Sequence, residues 1–433
     1  MNSVPMDDLD TLSQIFIGQL LKGDFSEATI QFDDQMKKSI SETKLQQSWE
    51  DVTYESGTLL QLIPTRSSDT DSYKIIVIKC RFQRFDVDVQ LVFNEQGEIS
   101  GLNFTPIKNI YKPPSYVNKS SFNDVDIEVG EGKWALPGTL SIPVGSDQFP
   151  GVVLVHGSGP NDKDESIGPN KIFRDLAWGL ASQGICVLRY DKMTFKYGKQ
   201  LTPEMVEKMT VKEEVIDDAL IALKLISKTD DIDTKRIFLL GHSLGATVAP
   251  RIGLQDPDLA GLIIMAGLTR SLEDTILDQF TYIYNLNGTI TKQQKAELES
   301  LKEKVDKLKD PEYKDKIAPQ DLPLGVAIAY WRDLQDNMPL DVVKKIDLPM
   351  LILQGERDYQ VLNSVDFIGL KTALKERTNV NFKLFPNLNH LFIKGMGKST
   401  PEEYTIEGHL DGEVITTIVK FIKDSKSEEP LNS

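Results

Sequence analysis

Cysteine is scarce in this chain of 433 residues, which contains only two. Cys80 lies in the apolar segment IIVIKCRF, and Cys186 lies in the similar segment ICVLRY. In such segments a cysteine usually packs as a small, buried hydrophobic residue. The sequence therefore predicts no disulfide framework and no metal site.

Positive charge is also in short supply. The chain has 49 Lys and Arg residues against 65 Asp and Glu residues, which gives a formal net charge of −16. A protein that binds nucleic acid or an anionic membrane surface needs a basic surplus to neutralise phosphates. The composition therefore argues against both kinds of partner.

Long apolar runs are missing as well. No stretch approaches the roughly 20 apolar residues of a membrane span. The first residues, MNSVPMDDLDTL, contain neither the basic region nor the apolar region of a signal peptide. We therefore expect a cytoplasmic protein as the chain stands, and a secreted or cell-envelope protein only if an export signal was removed.

The apolar pattern divides the chain into two domains. Residues 1–107 begin with helical spacing and then change to a period of two, as in FDVDVQLVF, which predicts a small α+β domain of helices and a curved antiparallel sheet. Residues 108–121 are polar, contain two prolines and are expected to be a linker. Over residues 122–426 apolar strands alternate with helices, which predicts a mostly parallel sheet with helices on both faces. Residues 427–433 are expected to be a polar tail.

A long insertion, at about residues 269–347, interrupts this alternation. It is rich in helix formers, as in TKQQKAELESLKEKVDKLKD, and it also contains the apolar stretch PLGVAIAYW. An insertion of this length is more often a helical cap than a loose loop. Cap residues such as Tyr330 and Trp331 are candidates for substrate binding, although packing the cap onto the core is the simpler expectation for most of these residues.

The pentapeptide Gly241–Gly245, GHSLG, has the G-x-S-x-G pattern. At ordinary usage of glycine and serine, chance produces this pattern in roughly one chain of this length in seven. The flanks are more specific, because RIFLL predicts a strand and ATVA predicts a helix. Ser243 would then lie at the sharp strand-to-helix turn that exposes a nucleophilic serine.

A nucleophilic serine needs a base and an acid that orients the base. In this architecture both follow the serine in the chain. Of the four histidines, His390 lies in the loop after the last predicted strand, whereas His409 lies at the start of the terminal helix. Asp358 follows the strand LILQG, with Glu356 as the alternative acid. The predicted triad is Ser243, Asp358 and His390.

The transition state of acyl transfer needs N–H donors for its oxyanion. The backbone N–H of Leu244, directly after the nucleophile, is one predicted donor. The loop HGSGPNDKDE, after the first parallel strand, supplies the other, with Ser158 favoured as donor and with Gly157 and Gly159 shaping the turn near the substrate. A phosphate-binding loop is the alternative, but no Lys-Ser/Thr pair follows as in a P-loop.

These motifs, and the segment PGVVLVHGSGPNDKDESIGPNKIFRDLAWGLASQGICVLRYDK in particular, resemble the α/β-hydrolase superfamily. Within it, the chain is similar to bacterial carboxylesterases that carry a small N-terminal, cystatin-like domain. The resemblance covers nearly the whole chain. It implies an α/β-hydrolase fold, hydrolysis of small carboxylic esters with short acyl chains through an acyl-enzyme, and no cofactor. Members of this group are often exported.

Other functions would use the same catalytic parts. A thioesterase or a peptidase needs the same triad, and a proline-directed aminopeptidase also needs carboxylates that hold the substrate amine. Glu273, Asp274 and Asp278 in the cap are available for that role, although a solvated helix face is the simpler expectation. A ligand receptor with a vestigial site is the alternative from another class, and the complete predicted triad disfavours it.

Overall fold

The described part of the chain forms two units, each with an apolar core of its own. The structure is a computed structural model and describes residues 5–69, 73–107, 111–145, 148–286, 288–313 and 317–425. The predicted tail at 427–433, and residues 108–110 of the predicted linker, lie outside the described residues. So far as they are described, the N-terminal unit comprises Met1–Lys112, Ile167–Asn170 and Tyr404–Glu407, and the main unit comprises Pro113–Ser166, Lys171–Glu403 and Gly408–Ser433.

Among its described residues, the N-terminal unit contains four helices and a sheet of four antiparallel strands. Leu9, Phe16 and Leu20, at helical spacing, are buried. Along the third strand buried and half-buried side chains alternate, because successive residues of a strand face opposite sides. The predicted α+β organisation is confirmed. The elements are α1 Met6–Lys22, α2 Phe25–Ile30, α3 Asp34–Ser39, α4 Glu42–Ser56, β1 Leu59–Asp69, β2 Lys74–Phe82, β3 Asp86–Phe93 and β4 Ile99–Ile107.

A sheet of eight strands, counted over the described ranges, forms the centre of the main unit. The strands are β5 Phe122–Val129, β6 Leu136–Pro143, β7 Phe149–Val155, β10 Cys186–Tyr190, β11 Ile232–His242, β12 Gly261–Met265, β13 Met350–Gly355 and β14 Val380–Phe385, and a separate short pair is β8 Ser166–Ile167 and β9 Asn170–Lys171. Their order is β14-β13-β12-β11-β7-β10-β6-β5. Within these ranges β6 is antiparallel to both of its neighbours, β10 and β5, and the other neighbouring strands pair in parallel. The mostly parallel sheet predicted from the sequence is confirmed.

Helices separate the strands of the main unit along the chain. They are α5 Ile172–Ala181, α6 Met193–Tyr197, α7 Pro203–Lys208, α8 Asp217–Ile226, α9 Leu244–Gly253, α10 Leu272–Asn285, α11 Lys292–Lys309, α12 Ile328–Asp336, α13 Pro339–Val343, α14 Ile368–Ala373 and α15 Gly412–Asp424, with π turns Lys212–Ile216 before α8 and Asn363–Phe367 before α14. The central strands β12 and β13 are buried along their whole length, as expected for a sheet covered on both faces. In the residues that the structure describes, no helix is long and apolar enough to cross a bilayer.

The connection between β12 and β13 contains helices α10 to α13. Arg251 of α9 forms two hydrogen bonds, of 3.0 and 2.8 Å, with the carboxylate of Asp333 on α12. The insertion therefore packs around its own side chains and is also linked to the core by an ion pair. Its buried apolar cluster consists of Ile276, Leu308, Leu322 and Trp331.

We expect Trp331→Ala to lower the free energy of unfolding by about 3–5 kcal/mol, because it removes the largest side chain of this buried cluster and leaves a cavity. Urea unfolding followed by circular dichroism measures the change. Tyr313→Ala is the matched control, since Tyr313 is exposed, and its effect should stay within about 0.5 kcal/mol. Equal effects of the two substitutions would contradict the assigned packing role of Trp331.

Candidate active site

Ser243 lies between β11 and α9, with φ 54° and ψ −115°. A positive φ is unfavourable for a residue other than glycine, and at this position it is the geometry of a strand-to-helix elbow. The Ser243 N–H donates to the carbonyl of Met265 at 2.9 Å. A Cβ on Gly241 would overlap the backbone of Gly245, and a Cβ on Gly245 would overlap the carbonyl of Val155. The turn therefore requires glycine at both positions.

His390 and Asp358 form a buried pair, with 2.8 Å between Nδ1 of the histidine and Oδ2 of the aspartate. The aspartate follows β13 and the histidine follows β14, so both lie beyond the carboxyl ends of parallel strands. The other carboxylate oxygen, Oδ1, accepts the N–H groups of Gln360 and Val361 at 2.8 and 3.0 Å. Since a carboxylate only accepts hydrogen bonds, Nδ1 of His390 carries the proton and Nε2 is the basic nitrogen.

The alternative acid and base lie elsewhere. Glu356 is exposed. His409 is paired with Asp175 of α5, at 3.2 and 3.3 Å from Nδ1 to the two carboxylate oxygens. The structure therefore brings His390 together with Asp358 and places His409 in a separate pair.

The loop after β7 lies against the nucleophile. A Cβ on Gly157 would come within 3.2 Å of Cβ of Ser243. Asn161 holds this loop, since its Nδ2 donates to the carbonyls of Gly157, Ser158 and Gly159 at 3.2, 3.0 and 3.2 Å. Within the described ranges the Ser158 N–H donates to no protein acceptor.

Leu244 is the first residue of α9. The first N–H groups of a helix have no partner inside the helix, so the N–H of Leu244 is also available to an incoming ligand. The two predicted oxyanion donors are thus backbone groups that the fold leaves unused.

Sequence reasoning missed Glu165, which is buried at the end of the same loop and contacts the ring of His242. Burial by itself raises the pKa of Glu165 and lowers that of His242. The attraction and hydrogen bond between the two side chains outweigh burial, so the pKa of Glu165 lies below its usual value and that of His242 above it. The only signal in the sequence was the acidic run that ends the loop, NDKDE, which is typical of solvated turns.

His156 is a core histidine. Its ring packs against Phe173 and Tyr190, with ring centroids 5.1 and 5.4 Å away. Burial lowers the pKa of His156 to about 4. The side chain is therefore neutral at pH 7.

A small cavity lies beside the first turn of α9, lined by Leu244, Thr247, Arg270 and Glu273 among others. Glu273 is 1% exposed, so the expectation of a solvated helix face is wrong for this residue. It was wrong because α12 covers the first turn of α10, where Gln335 donates to Oε1 of Glu273 at 2.9 Å. Among the described residues, no hydrogen-bond partner is present for Oε2.

The two other acidic cap residues face ion-pair partners. Asp274 pairs with Lys309, and Asp278 pairs with Arg270. Asp278 is the more exposed of the two carboxylates, as expected for a helix face.

The two aromatic cap residues predicted to contact the substrate are engaged by the protein. Trp331 is fully buried, and its Nε1–H donates to the carbonyl of Val326 at 3.2 Å. The Tyr330 hydroxyl donates to Glu214 at 2.7 Å. Trp331 packs inside the cap, whereas Tyr330 packs against the main core, and the substrate contacts assigned to them stay a prediction.

Comparison with known proteins places the chain in a family. Residues 152–394, more than half of the chain, match the family described as serine aminopeptidase, S33. The chain is also 37% identical to Esterase EstD of Thermotoga maritima over 409 residues, which is 94% of each protein. The chain belongs to the S33 family of α/β hydrolases. The resemblance and the fold predicted from the sequence are confirmed. Residues 13–102 match DUF3887, described as a protein of unknown function.

Solved structures of other α/β hydrolases resemble this one only distantly. Est1E from Butyrivibrio proteoclasticus has a TM-score of 0.44 and 16% identity, over 69% of this chain and 98% of its own. An acylaminoacyl peptidase from Pyrococcus horikoshii has a TM-score of 0.45 and 13% identity, over 86% and 52%. The assignment of this hydrolase to its family rests on the sequence matches alone.

In the described part of this hydrolase, no three or more His, Cys, Asp and Glu side chains are grouped so that they could hold a metal ion. The groups available for chemistry are the hydroxyl of Ser243, the His390–Asp358 pair and free backbone N–H groups. That set suits nucleophilic acyl transfer.

We expect His390→Ala to lower kcat by about 10⁴-fold, and Asp358→Asn to have a similar effect because the amide stabilises the wrong tautomer of the histidine. Steady-state turnover of an aryl acetate measures both. His409→Ala is the control and should keep the wild-type rate. An inactive His409→Ala together with an active His390→Ala would reverse the assignment of the base.

Proposed function

We propose that this protein hydrolyses carboxylic esters with short acyl chains through an acyl-enzyme on Ser243. The observation that carries the proposal is the buried His390–Asp358 hydrogen bond of 2.8 Å in a chain with a strained serine elbow. Its similarity over 94% of its length to a protein named as an esterase supports the same chemistry. A vestigial site would have no need to keep a strained elbow and a buried ionisable pair.

The mechanism follows from the proton positions. Oγ of Ser243 attacks the ester carbonyl carbon while its proton passes to Nε2 of His390, and Asp358 stabilises the resulting imidazolium. The carbonyl oxygen becomes an oxyanion and accepts the N–H groups of Ser158 and Leu244. Collapse of this intermediate breaks the bond to the alcohol, which takes the proton from Nε2. Water then repeats the sequence on the acyl-enzyme and releases the acid.

The packing of the cap supports a small acyl group. Its interior is filled by its own apolar cluster around Trp331, and the small cavity beside Leu244 is lined by apolar side chains such as Leu268 and Leu272 but also borders Arg270 and Glu273. A long alkyl chain there would bury these charged groups against hydrocarbon, which is unfavourable. Each methylene that does not fit should raise the activation free energy for kcat/KM by about 1–3 kcal/mol, and kcat/KM should fall accordingly.

An aminopeptidase is the second candidate, and one observation favours it. Glu273 is one of the residues that line the cavity beside Leu244, and its buried Oε2 has no hydrogen-bond partner among the described residues. A substrate ammonium group is a suitable donor for such an oxygen. A panel of short esters, thioesters and aminoacyl amides, compared by kcat/KM in the wild type and in Glu273→Gln, distinguishes the functions. A selective loss of amide turnover in Glu273→Gln would favour the peptidase.

We expect Ser243→Ala to abolish covalent labelling by a fluorophosphonate and to lower ester turnover by at least about 10⁴-fold, because the nucleophile is lost. Intact-mass spectrometry and an aryl acetate assay measure the two effects. Ser300→Ala is the matched control, since Ser300 is exposed on α11, and it should label normally. Full labelling of Ser243→Ala would refute the proposed nucleophile.

A further inference from the structure

Glu165 is a buried carboxylate that the proposed triad does not use, and its two oxygens face different parts of the site. Oε1 accepts the backbone N–H of Gly157 at 2.6 Å. Oε2 lies 3.1 Å from Nδ1 of His242. The side chains of Glu165 and His242 are each 2% exposed, so water does not compete for these bonds.

His242 continues the connection to the loop of the proposed base. Its Nε2 lies 3.0 Å from the backbone carbonyl of His390, and the two imidazole rings are in contact, with centroids 4.8 Å apart. A carbonyl and a carboxylate only accept hydrogen bonds. Both ring nitrogens of His242 therefore donate, and the ring is an imidazolium paired with the Glu165 carboxylate.

The ends of this chain of hydrogen bonds lie at the reacting groups. Gly157 directly precedes Ser158, the proposed oxyanion donor, and leaves so little space beside Ser243 that a Cβ on it would lie 3.2 Å from Cβ of Ser243. His242 directly precedes Ser243. His390 is the proposed base. The Glu165–His242 ion pair thus connects all three segments. The distances between these segments decide whether nucleophile, base and oxyanion donor can reach the same substrate carbonyl group.

The backbone at Glu165 is itself constrained. Its φ of 46° lies in the left-handed region, which is unfavourable for glutamate. Hydrogen bonds fix this conformation, because the Glu165 N–H donates to the carbonyl of Asp162 at 2.9 Å and the Ser166 N–H donates to the Asp162 side chain at 2.9 Å. Strained residues of this kind cluster at functional sites.

We propose that Glu165 and His242 are positioning residues for the proposed esterase reaction. They hold three segments in fixed positions relative to one another, namely the loop of Ser158, the turn of Ser243 and the loop of His390. The inference rests on the proposed function. The pair acts through Gly157 and His390 and does not touch the substrate. Its removal displaces the Ser158 N–H relative to Ser243, and thereby weakens stabilisation of the transition state more than binding of the substrate.

A second pair in the same unit provides a control, because its loss tests whether removing any buried histidine–carboxylate pair lowers activity merely by destabilising the fold. His409 and the buried Asp175 form a second histidine–carboxylate pair, at 3.2 Å. Asp175 also accepts the N–H of Leu410 at 2.9 Å, so this pair links α5 to the segment before α15. Asp175→Leu combined with His409→Phe is therefore the matched control for Glu165→Leu combined with His242→Phe.

The double variant Glu165→Leu, His242→Phe tests the proposal. Replacing both members of a buried pair by apolar residues of similar size usually preserves folding. We expect kcat on an aryl acetate to fall by about 10²–10³-fold, as when an oxyanion donor is lost, with KM changed less than about threefold. The fluorophosphonate labelling rate should fall in parallel. The Asp175–His409 control should keep kcat within about twofold, whatever its melting temperature.

Glu165→Gln is the conservative variant. Its amide oxygen can accept from Gly157 and its amide N–H can donate to Nδ1 of a neutral His242, whose Nε2–H still donates to His390. Every hydrogen bond survives and only the ion pair is lost. We expect kcat within about tenfold of wild type. Glutamine at this position should therefore retain most of the kcat that the double variant loses.

Three results would overturn the proposal. They are a double variant that is folded and within about threefold of wild type in kcat, an equal loss in the Asp175–His409 control, and a Glu165→Gln variant as inactive as the double variant. If wild type turns over no ester but labels at Ser243, the proposed function fails, and the labelling rates alone decide the positioning role. If wild type neither turns over nor labels, both are refuted.

Discussion

The close contact between Gly245 and the end of β7 is the constraint on which the site depends. A side chain at residue 245 would overlap the carbonyl of Val155, and one at Gly241 would overlap the start of α9. Because these backbones touch, the loop that leaves β7 begins beside Ser243. The positive φ of Ser243 costs about 1–3 kcal/mol. The buried central sheet offsets this cost, since the residues on both sides of Ser243, at the end of β11 and the start of α9, are buried.

Buried charges fix the loops around that turn, and each has a partner of opposite charge or several donors. Lys192 lies 3.2 Å from Glu214, with both side chains almost fully buried. Asp358 accepts from backbone N–H groups and from the ring of His390. Breaking one such pair leaves an uncompensated charge and costs about 3–5 kcal/mol. These side chains therefore have one low-energy arrangement, which is the preorganisation that acyl transfer requires.

The fold could be predicted from the sequence because apolar strands and helices alternate regularly after residue 122. The triad candidates could be named because the elbow pattern around Ser243 fixes the order in which the acid and base must follow. Glu165 could not be found in the same way. Nothing in the acidic loop distinguishes the buried carboxylate from solvated ones, and its partner, His242, lies 77 residues later in the chain, at the end of β11. Glu273 was misjudged for the same reason, since its burial depends on a distant helix.

The peptide group between Gly157 and Ser158 shows how these features combine. Its carbonyl accepts from the buried ammonium group of Lys192 at 3.0 Å and from Asn161 at 3.2 Å. Donors on a peptide carbonyl polarise the peptide, and the N–H of the same group becomes a stronger donor. That N–H belongs to Ser158, the proposed oxyanion donor. Glu165 accepts the N–H of the preceding peptide, that of Gly157. Glu165 therefore orients the loop, while Lys192 and Asn161 polarise the peptide between Gly157 and Ser158. Because the Glu165–His242 pair has no net charge, its contribution is geometry, whereas the proposed stabilisation of the oxyanion comes from backbone N–H groups, of which that of Ser158 is polarised by Lys192 and Asn161.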